Sequence, residues 1–110
     1  MIKVIISYKA KKVVKIEISG HAAYAASGHD IVCAGVSSLV FSTLIYLEKH
    51  KLVQMKTLER ANHIQAVFDT ETEISKHLLQ ALIEGIQLIQ HEYPQRIKIM
   101  ENGGDTYVKI

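Results

Sequence analysis

The chain has 110 residues, of which 48% are hydrophobic, so it is long enough for one domain with its own core over residues 1–110. Its formal charge of +2 is too small to indicate a nucleic-acid partner by itself, and we predict none. A single cysteine cannot form an intrachain disulfide, which favours a reducing compartment, the cytoplasm. The first residues alternate in polarity and lack the apolar block of a signal peptide.

Two strands are predicted at the start of the chain. Apolar and polar residues alternate over 2–8 and again over 14–19, which is the two-residue period of a strand. The polar link 9–12 joins them most simply as a hairpin. Four lysines cluster at this link, and we expect them to form a solvated hairpin tip: Lys9, Lys11, Lys12 and Lys15.

A loop rich in Gly, Ala and Ser follows over residues 22–29, and Asp30 is a suitable N-cap for a helix that runs to about His50. Residues 31–47 are apolar on nearly every side of this helix, but serine and threonine interrupt them. We therefore predict a buried helix rather than a membrane span. Such a helix needs the sheet on one side and a second helix or a partner subunit on the other. Gly35 inside it predicts the close approach of another backbone.

Two more strands, a second helix and a last strand are predicted in the second half of the chain. Alternation predicts strands over 52–58 and 63–69, and Thr70 with Glu73 fits a capping box. An amphipathic helix then ends before Tyr93-Pro94, with an apolar face formed by Ile74, Leu78, Leu82, Ile86 and Ile89. A last strand is predicted over 96–100, and Gly103-Gly104 turns the chain into a short tail. The order ββαββαβ predicts an α+β domain, with a mixed or antiparallel sheet and both helices packed on one face.

The candidate active site lies at the borders of the 22–29 loop. If Asp30 is the N-cap, Cys33 occupies the third helical position, where unpaired amides and the helix dipole favour a thiolate. His21 stands just after the second predicted strand. A nucleophile and a base at the two ends of a pliable loop are what an acyl-transfer enzyme needs. The first-turn amides beside Cys33 are the expected oxyanion donors.

Several neighbours are candidate supporting residues. Asp30 either orients His21 or caps the helix, and capping is favoured. Ser37, one turn after Cys33, bonds either to the site or back to its own helix. Tyr24 packs the loop down or lines a substrate groove. The loop must move to admit a peptide, and the predicted hinges are Gly20 and Gly28.

Two other kinds of site compete with the nucleophile. A metal site would use His21, His29, Asp30 and Cys33, but a structural zinc site normally brings paired ligands at short spacing, and the sequence has no such pair. We therefore predict no metal and no cofactor. An esterase or a thiol transferase would also use a histidine and a cysteine, so the residues alone leave these reactions open.

The same stretch resembles the signature of the ribosomal-processing cysteine proteases (Prp) of bacteria. The matching segments are Gly20-His21-Ala22, Tyr24-Ala25, Gly28, Asp30-Ile31-Val32-Cys33-Ala34, Val36-Ser37 and, more loosely, Glu92-Tyr93-Pro94. The resemblance implies a homodimeric cytoplasmic protease of ribosome biogenesis that removes a short N-terminal extension from a large-subunit ribosomal protein. It implies Cys33 as nucleophile and His21 as general base. The alternative is a non-catalytic module that binds a ribosomal protein or nascent peptide. We expect no membrane partner for either function.

Overall fold

A computed structural model describes residues 1–20, 30–58, 63–68 and 72–103 of the chain. Within these residues, five strands and two helices follow one another in the predicted order ββαββαβ. Their bounds are β1 Ile2–Lys9, β2 Lys12–Gly20, α1 Ile31–Lys49, β3 Gln54–Leu58, β4 His63–Val67, α2 Glu73–Glu92 and β5 Ile97–Gly103.

The five strands form one mixed sheet in the order β3-β4-β2-β1-β5. Neighbouring strands are antiparallel except for β1 and β5, which run parallel. Ile2 pairs with both Gly20 and Ile97, and Ser19 pairs with His63, so β1, β4 and β5 begin at the edge of the sheet where β2 ends. We call this edge the Gly20 end of the sheet.

Both helices pack on one face of the sheet, as predicted. The even-numbered residues of β1 from Ile2 to Tyr8 are all buried, because alternate side chains of a strand point to the same face. They share one core with Ile16, Ile18, Ala66, Ile97 and the buried sides of both helices. Each fully buried aliphatic side chain of this core contributes about 1.5–3 kcal/mol relative to exposure.

The two helices lie against each other through their glycines. A Cβ atom at Gly85 would lie 3.0 Å from Leu39 Cδ1, and one at Gly35 would lie 3.3 Å from Ile89 Cδ1. The close approach predicted at Gly35 is therefore to a side chain of α2 and not to another backbone. Ile89 is near the end of α2, which leads into β5, so α1 begins at the Gly20 end of the sheet.

α1 is the one described helix that is long and apolar enough to cross a membrane. This is weak support for a span, because core helices of soluble proteins have the same composition. Five residues of α1 belong to the core of this fold: Val32, Val36, Val40, Leu44 and Leu47. The placement of α1 on the sheet agrees with the predicted core helix.

The second helix begins differently from the prediction. Its N-cap is Thr72, whose hydroxyl accepts from the amide of Ser75, while the Ser75 hydroxyl accepts from the amide of Thr72. The predicted box of Thr70 and Glu73 was wrong, since Glu73 is already helical. The buried face is shifted accordingly to Ser75, Leu79, Leu82, Ile83 and Ile86, and Ile74 is 55% exposed.

Candidate active site

Cys33 lies in the first turn of α1, at the third helical position, as predicted. Asp30 is the N-cap, with extended backbone angles (φ −81°, ψ 100°), and its Oδ1 accepts a hydrogen bond of 2.9 Å from the Cys33 amide. The N-cap prediction is therefore confirmed. This hydrogen bond holds the backbone of Cys33 against the N-cap residue and so fixes the position of the Cys33 Cα atom, from which the thiol extends.

The cap also decides which amides of this turn remain available. The Ala34 amide donates to the Asp30 carbonyl at 3.0 Å, which is the first ordinary bond of the helix. Because the Cys33 amide donates to the Asp30 side chain, only the amides of Ile31 and Val32 have no acceptor within the helix. The candidate oxyanion donors of the first turn are therefore the amides of Ile31 and Val32. The sequence alone did not exclude the amide of Cys33.

The side chain of Cys33 lies at the margin of the core. It is half-buried and packs against the core cluster, next to the fully buried Val32. Ala34 and Ser37 on the same part of α1 are exposed, so one side of the thiol is close to solvent. The thiol is therefore partly accessible, which a nucleophile that attacks a peptide carbonyl requires.

Gly20 ends β2 in a conformation that only glycine adopts easily. Its φ is +86°, and a Cβ atom at this position would overlap the carbonyl oxygen of Met1. The pairing of Ile2 with Gly20 and of Ile18 with Val4 holds this last part of β2 in register. β2 therefore ends at the end of the sheet where α1 begins, and His21, the next residue in the sequence, lies outside the described residues.

The other predicted site residues divide into two groups. Ser37 is exposed on α1 one turn after Cys33, whereas the neighbouring Ser38 is the serine that bonds back to its helix, donating to the Ala34 carbonyl at 2.9 Å. The remaining predicted residues lie outside the described part of the chain: His21, Tyr24 and Gly28. Two residues of the metal alternative, His21 and His29, lie outside it as well. Among the described residues, no group of three or more His, Cys, Asp or Glu side chains is placed to hold a metal ion.

Comparison with known proteins connects this geometry to one family. The profile of the family described as cysteine protease Prp matches residues 1–98. The ribosomal processing cysteine protease Prp of Mycoplasma pneumoniae is 32% identical over 106 residues, which cover 96% of this chain and 99% of that protein.

Solved structures of Staphylococcus aureus Prp have the same fold. One, described as an essential ribosomal processing protease with a covalently linked product peptide, superposes with a TM-score of 0.85 at 27% identity, covering 93% of this chain and 100% of that one. A second, with a substrate peptide, gives a TM-score of 0.79 at 25% identity and the same coverage.

Proposed function

The chain belongs to the cysteine protease Prp family, and we propose that it removes a short N-terminal extension from a large-subunit ribosomal protein, with Cys33 as the nucleophile and His21 as the general base. The observation that carries this assignment is the position of Cys33, capped by Asp30 in the first turn of α1 and open to solvent on one side. The relatives named for ribosomal processing, one of them with a product peptide covalently attached, support the substrate class.

In the first half of the proposed reaction, His21 takes the proton of the Cys33 thiol. The thiolate then attacks the carbonyl carbon of the scissile peptide bond, and the carbonyl oxygen becomes an oxyanion. The amides of Ile31 and Val32, which have no acceptor within α1, are the donors we assign to this oxyanion. The positive end of the helix dipole lies at the same place and favours the same negative charge.

The second half releases both products. When the tetrahedral intermediate collapses, the C–N bond breaks and His21 protonates the leaving amine. The N-terminal product remains on Cys33 as a thioester until a water molecule, deprotonated by His21, hydrolyses it. Asp30 contributes by holding the first turn of α1, Ser37 by hydrogen bonding at the edge of the site, and Tyr24 by contact with the substrate. Gly20 and Gly28 are the proposed points at which the intervening loop bends to admit the peptide.

We further propose that the enzyme is a cytoplasmic homodimer and that the outer surface of α1 forms its interface. Only 28% of the apolar stretch of α1 is buried within the chain. Phe41, Ile45 and Tyr46 are 41–46% exposed on α1, and Tyr46 lines a groove with Ile74 and Leu78 of α2. Apolar side chains exposed together in this way are typical of a surface covered by another protein, and a second copy would cover it symmetrically.

The activity is tested with a peptide that spans the N-terminal extension of such a ribosomal protein. Intact-mass analysis should show one cut by the wild-type chain and none by Cys33→Ala or His21→Ala, with circular dichroism spectra unchanged. Cys33→Ser is the matched variant, because it replaces the thiol with a hydroxyl of similar size and weaker nucleophilicity, and it should cut about a thousandfold more slowly or less. A peptide that binds but is cut by none of the four proteins would favour the non-catalytic binding module instead.

A further inference from the structure

Among the residues that the structure describes, no helix lies on one face of the sheet. The alternation that buries Ile2, Val4 and Ile6 under the helices turns the odd-numbered residues of β1 to the opposite side. We call this side the open face. From the registers, its residues form three rows across the strands: Lys98, Lys3, Ser19 and His63; Met100, Ile5, Glu17, Gln65 and Lys56; and Asn102, Ser7, Lys15, Val67 and Gln54.

The open face is rich in positive charge. It holds four lysines and one carboxylate, that of Glu17. The Glu17 carboxylate lies 3.7 Å from Lys15 Nζ and 3.5 Å from His63 Nε2. Its negative charge therefore interacts with Lys15 and His63, which belong to the same face. The other three lysines, Lys3, Lys56 and Lys98, are exposed. Although the whole chain carries only +2, this face carries more than its share of the positive charge.

Two of these lysines are direct neighbours. Lys3 and Lys98 are register partners on the parallel strands β1 and β5, and Ser19 is the neighbour of Lys3 on the other side. Like charges on adjacent strands repel each other, and no acidic residue of the described chain stands in their row. A bound anion would remove this repulsion, whereas an empty face retains it.

We propose that the open face docks the phosphate backbone of an RNA strand. Five strands at about 4.8 Å spacing and three rows of side chains give a face of about 19 by 13 Å, large enough for several consecutive phosphates. Lysine binds phosphate as a point charge and needs no pocket. The choice of RNA as the polyanion rests on the proposed function, since a ribosomal protein is destined for an RNA-rich particle. The prediction of no nucleic-acid partner was drawn from net charge, and the distribution of charge points the other way.

The composition of the open face argues against two other occupants. A membrane surface would require large apolar side chains able to enter the lipid, and the large hydrophobic residues that are exposed in the described chain lie elsewhere: Met1, Ile31, Phe41, Ile45, Tyr46, Ile74 and Leu88. A protein partner would be expected to meet aromatic anchors, and the three rows contain no aromatic residue besides His63. Because the lysines would contact phosphates and not base edges, we expect the RNA contact to be independent of base sequence.

The test compares two double variants of equal charge. Lys3→Gln/Lys98→Gln removes the neighbouring pair from the open face, and Lys49→Gln/Lys76→Gln removes two exposed lysines from the helices. Fluorescence anisotropy with a labelled single-stranded RNA is measured between 50 and 200 mM salt. The open-face variant should bind about tenfold or more weakly at 50 mM salt, and its salt slope should fall by about 1.4. The helix variant should stay within about twofold of the wild type.

Equal losses in the two double variants, or no RNA binding by the wild type at 50 mM salt, would overturn the proposal. So would tighter binding of poly-glutamate or of anionic lipid vesicles than of RNA. The outcome is separable from the protease proposal, because the open-face variant should still cut a short peptide at the wild-type rate, while Cys33→Ala should still bind RNA. Thermal melting of both double variants confirms that each is folded.

Discussion

At the scale of single residues, Asp30 connects the fold to the chemistry. Its carboxylate accepts a hydrogen bond from the Cys33 amide, so the N-cap of α1 also holds the backbone of the proposed nucleophile. Asp30 brings two things to the site: the hydrogen bond with which it caps α1, and a negative charge close to Cys33. These two effects can be separated by replacing Asp30 with residues that keep or lose the cap.

Asp30→Asn should keep the cap, because asparagine is as good an N-cap as aspartate. Its stability in urea should match the wild type, and its kcat/KM for the peptide should stay within a few fold. Asp30→Ala should lose about 0.5–2 kcal/mol of stability and about tenfold or more of kcat/KM, since the Cys33 amide loses its acceptor. If Asp30→Asn is stable but as inactive as Asp30→Ala, the charge of Asp30 acts directly in catalysis, and capping is not its main role.

At the scale of elements, the β1–β2 hairpin is built on a turn that its sequence does not favour. Lys9 pairs with Lys12, which leaves Ala10 and Lys11 as a two-residue turn with φ of 53° and 66°. Two positive φ angles are typical of a type I′ turn, for which Asn-Gly is the preferred pair. The turn is also tighter than the four-residue link predicted from the polar residues 9–12.

Replacing this turn by its preferred pair, Ala10→Asn/Lys11→Gly, should raise the free energy of unfolding by about 1 kcal/mol and the thermal midpoint by several degrees, because the strained backbone is relieved. Ala10→Val is the opposite control and should lower the midpoint, since a β-branched residue resists positive φ. A midpoint for the Asn-Gly variant at or below that of the wild type would contradict this interpretation of the turn.

The elements that depend on local pattern were predictable, and those that depend on distant contacts were not. Alternation located β1, β2 and β4, and the three-residue spacing of Asp30 and Cys33 placed the thiol in the first turn of α1. Glu73 follows Thr70 by three residues and Ser75 follows Thr72 by three, so both pairs fit a capping box in the sequence, and the N-cap of α2 was predicted two residues too early. In the structure the N-cap is Thr72, and its partner Ser75 is buried.

Pairing between strands far apart in the sequence left no local signal. β5 continues to Gly103, beyond the predicted end at Met100, because it follows β1 in parallel as far as Tyr8. The order of strands in the sheet depends on the same distant pairing. In the candidate site, the position of Cys33 in the first turn of α1 was predictable because the N-cap is a local feature. The choice of the Ile31 and Val32 amides as proposed oxyanion donors required the hydrogen bonds themselves.

At the scale of the whole molecule, the outer surface of α1 predicts association. Ile45→Glu places a charge on the helix that also exposes Phe41 and Tyr46, so it should convert the proposed dimer to a monomer in light scattering after size exclusion. Leu88→Glu, at a position 72% exposed on α2, is the matched control and should remain dimeric. A wild-type chain that is monomeric at high concentration, or a dimer that survives Ile45→Glu, would contradict the proposed interface.

The central claim is that Cys33 carries the acyl group, and the most direct test is to find that group on it. Lys15 and Lys49 flank a single tryptic peptide, residues 16–49, that contains the one cysteine of the chain. Acid quenching during turnover should give this peptide the mass of the N-terminal product less one water, as a thioester that hydroxylamine removes and Cys33→Ala abolishes. Peptide cleavage by Cys33→Ala, or an acyl group attached outside residues 16–49, would contradict the account.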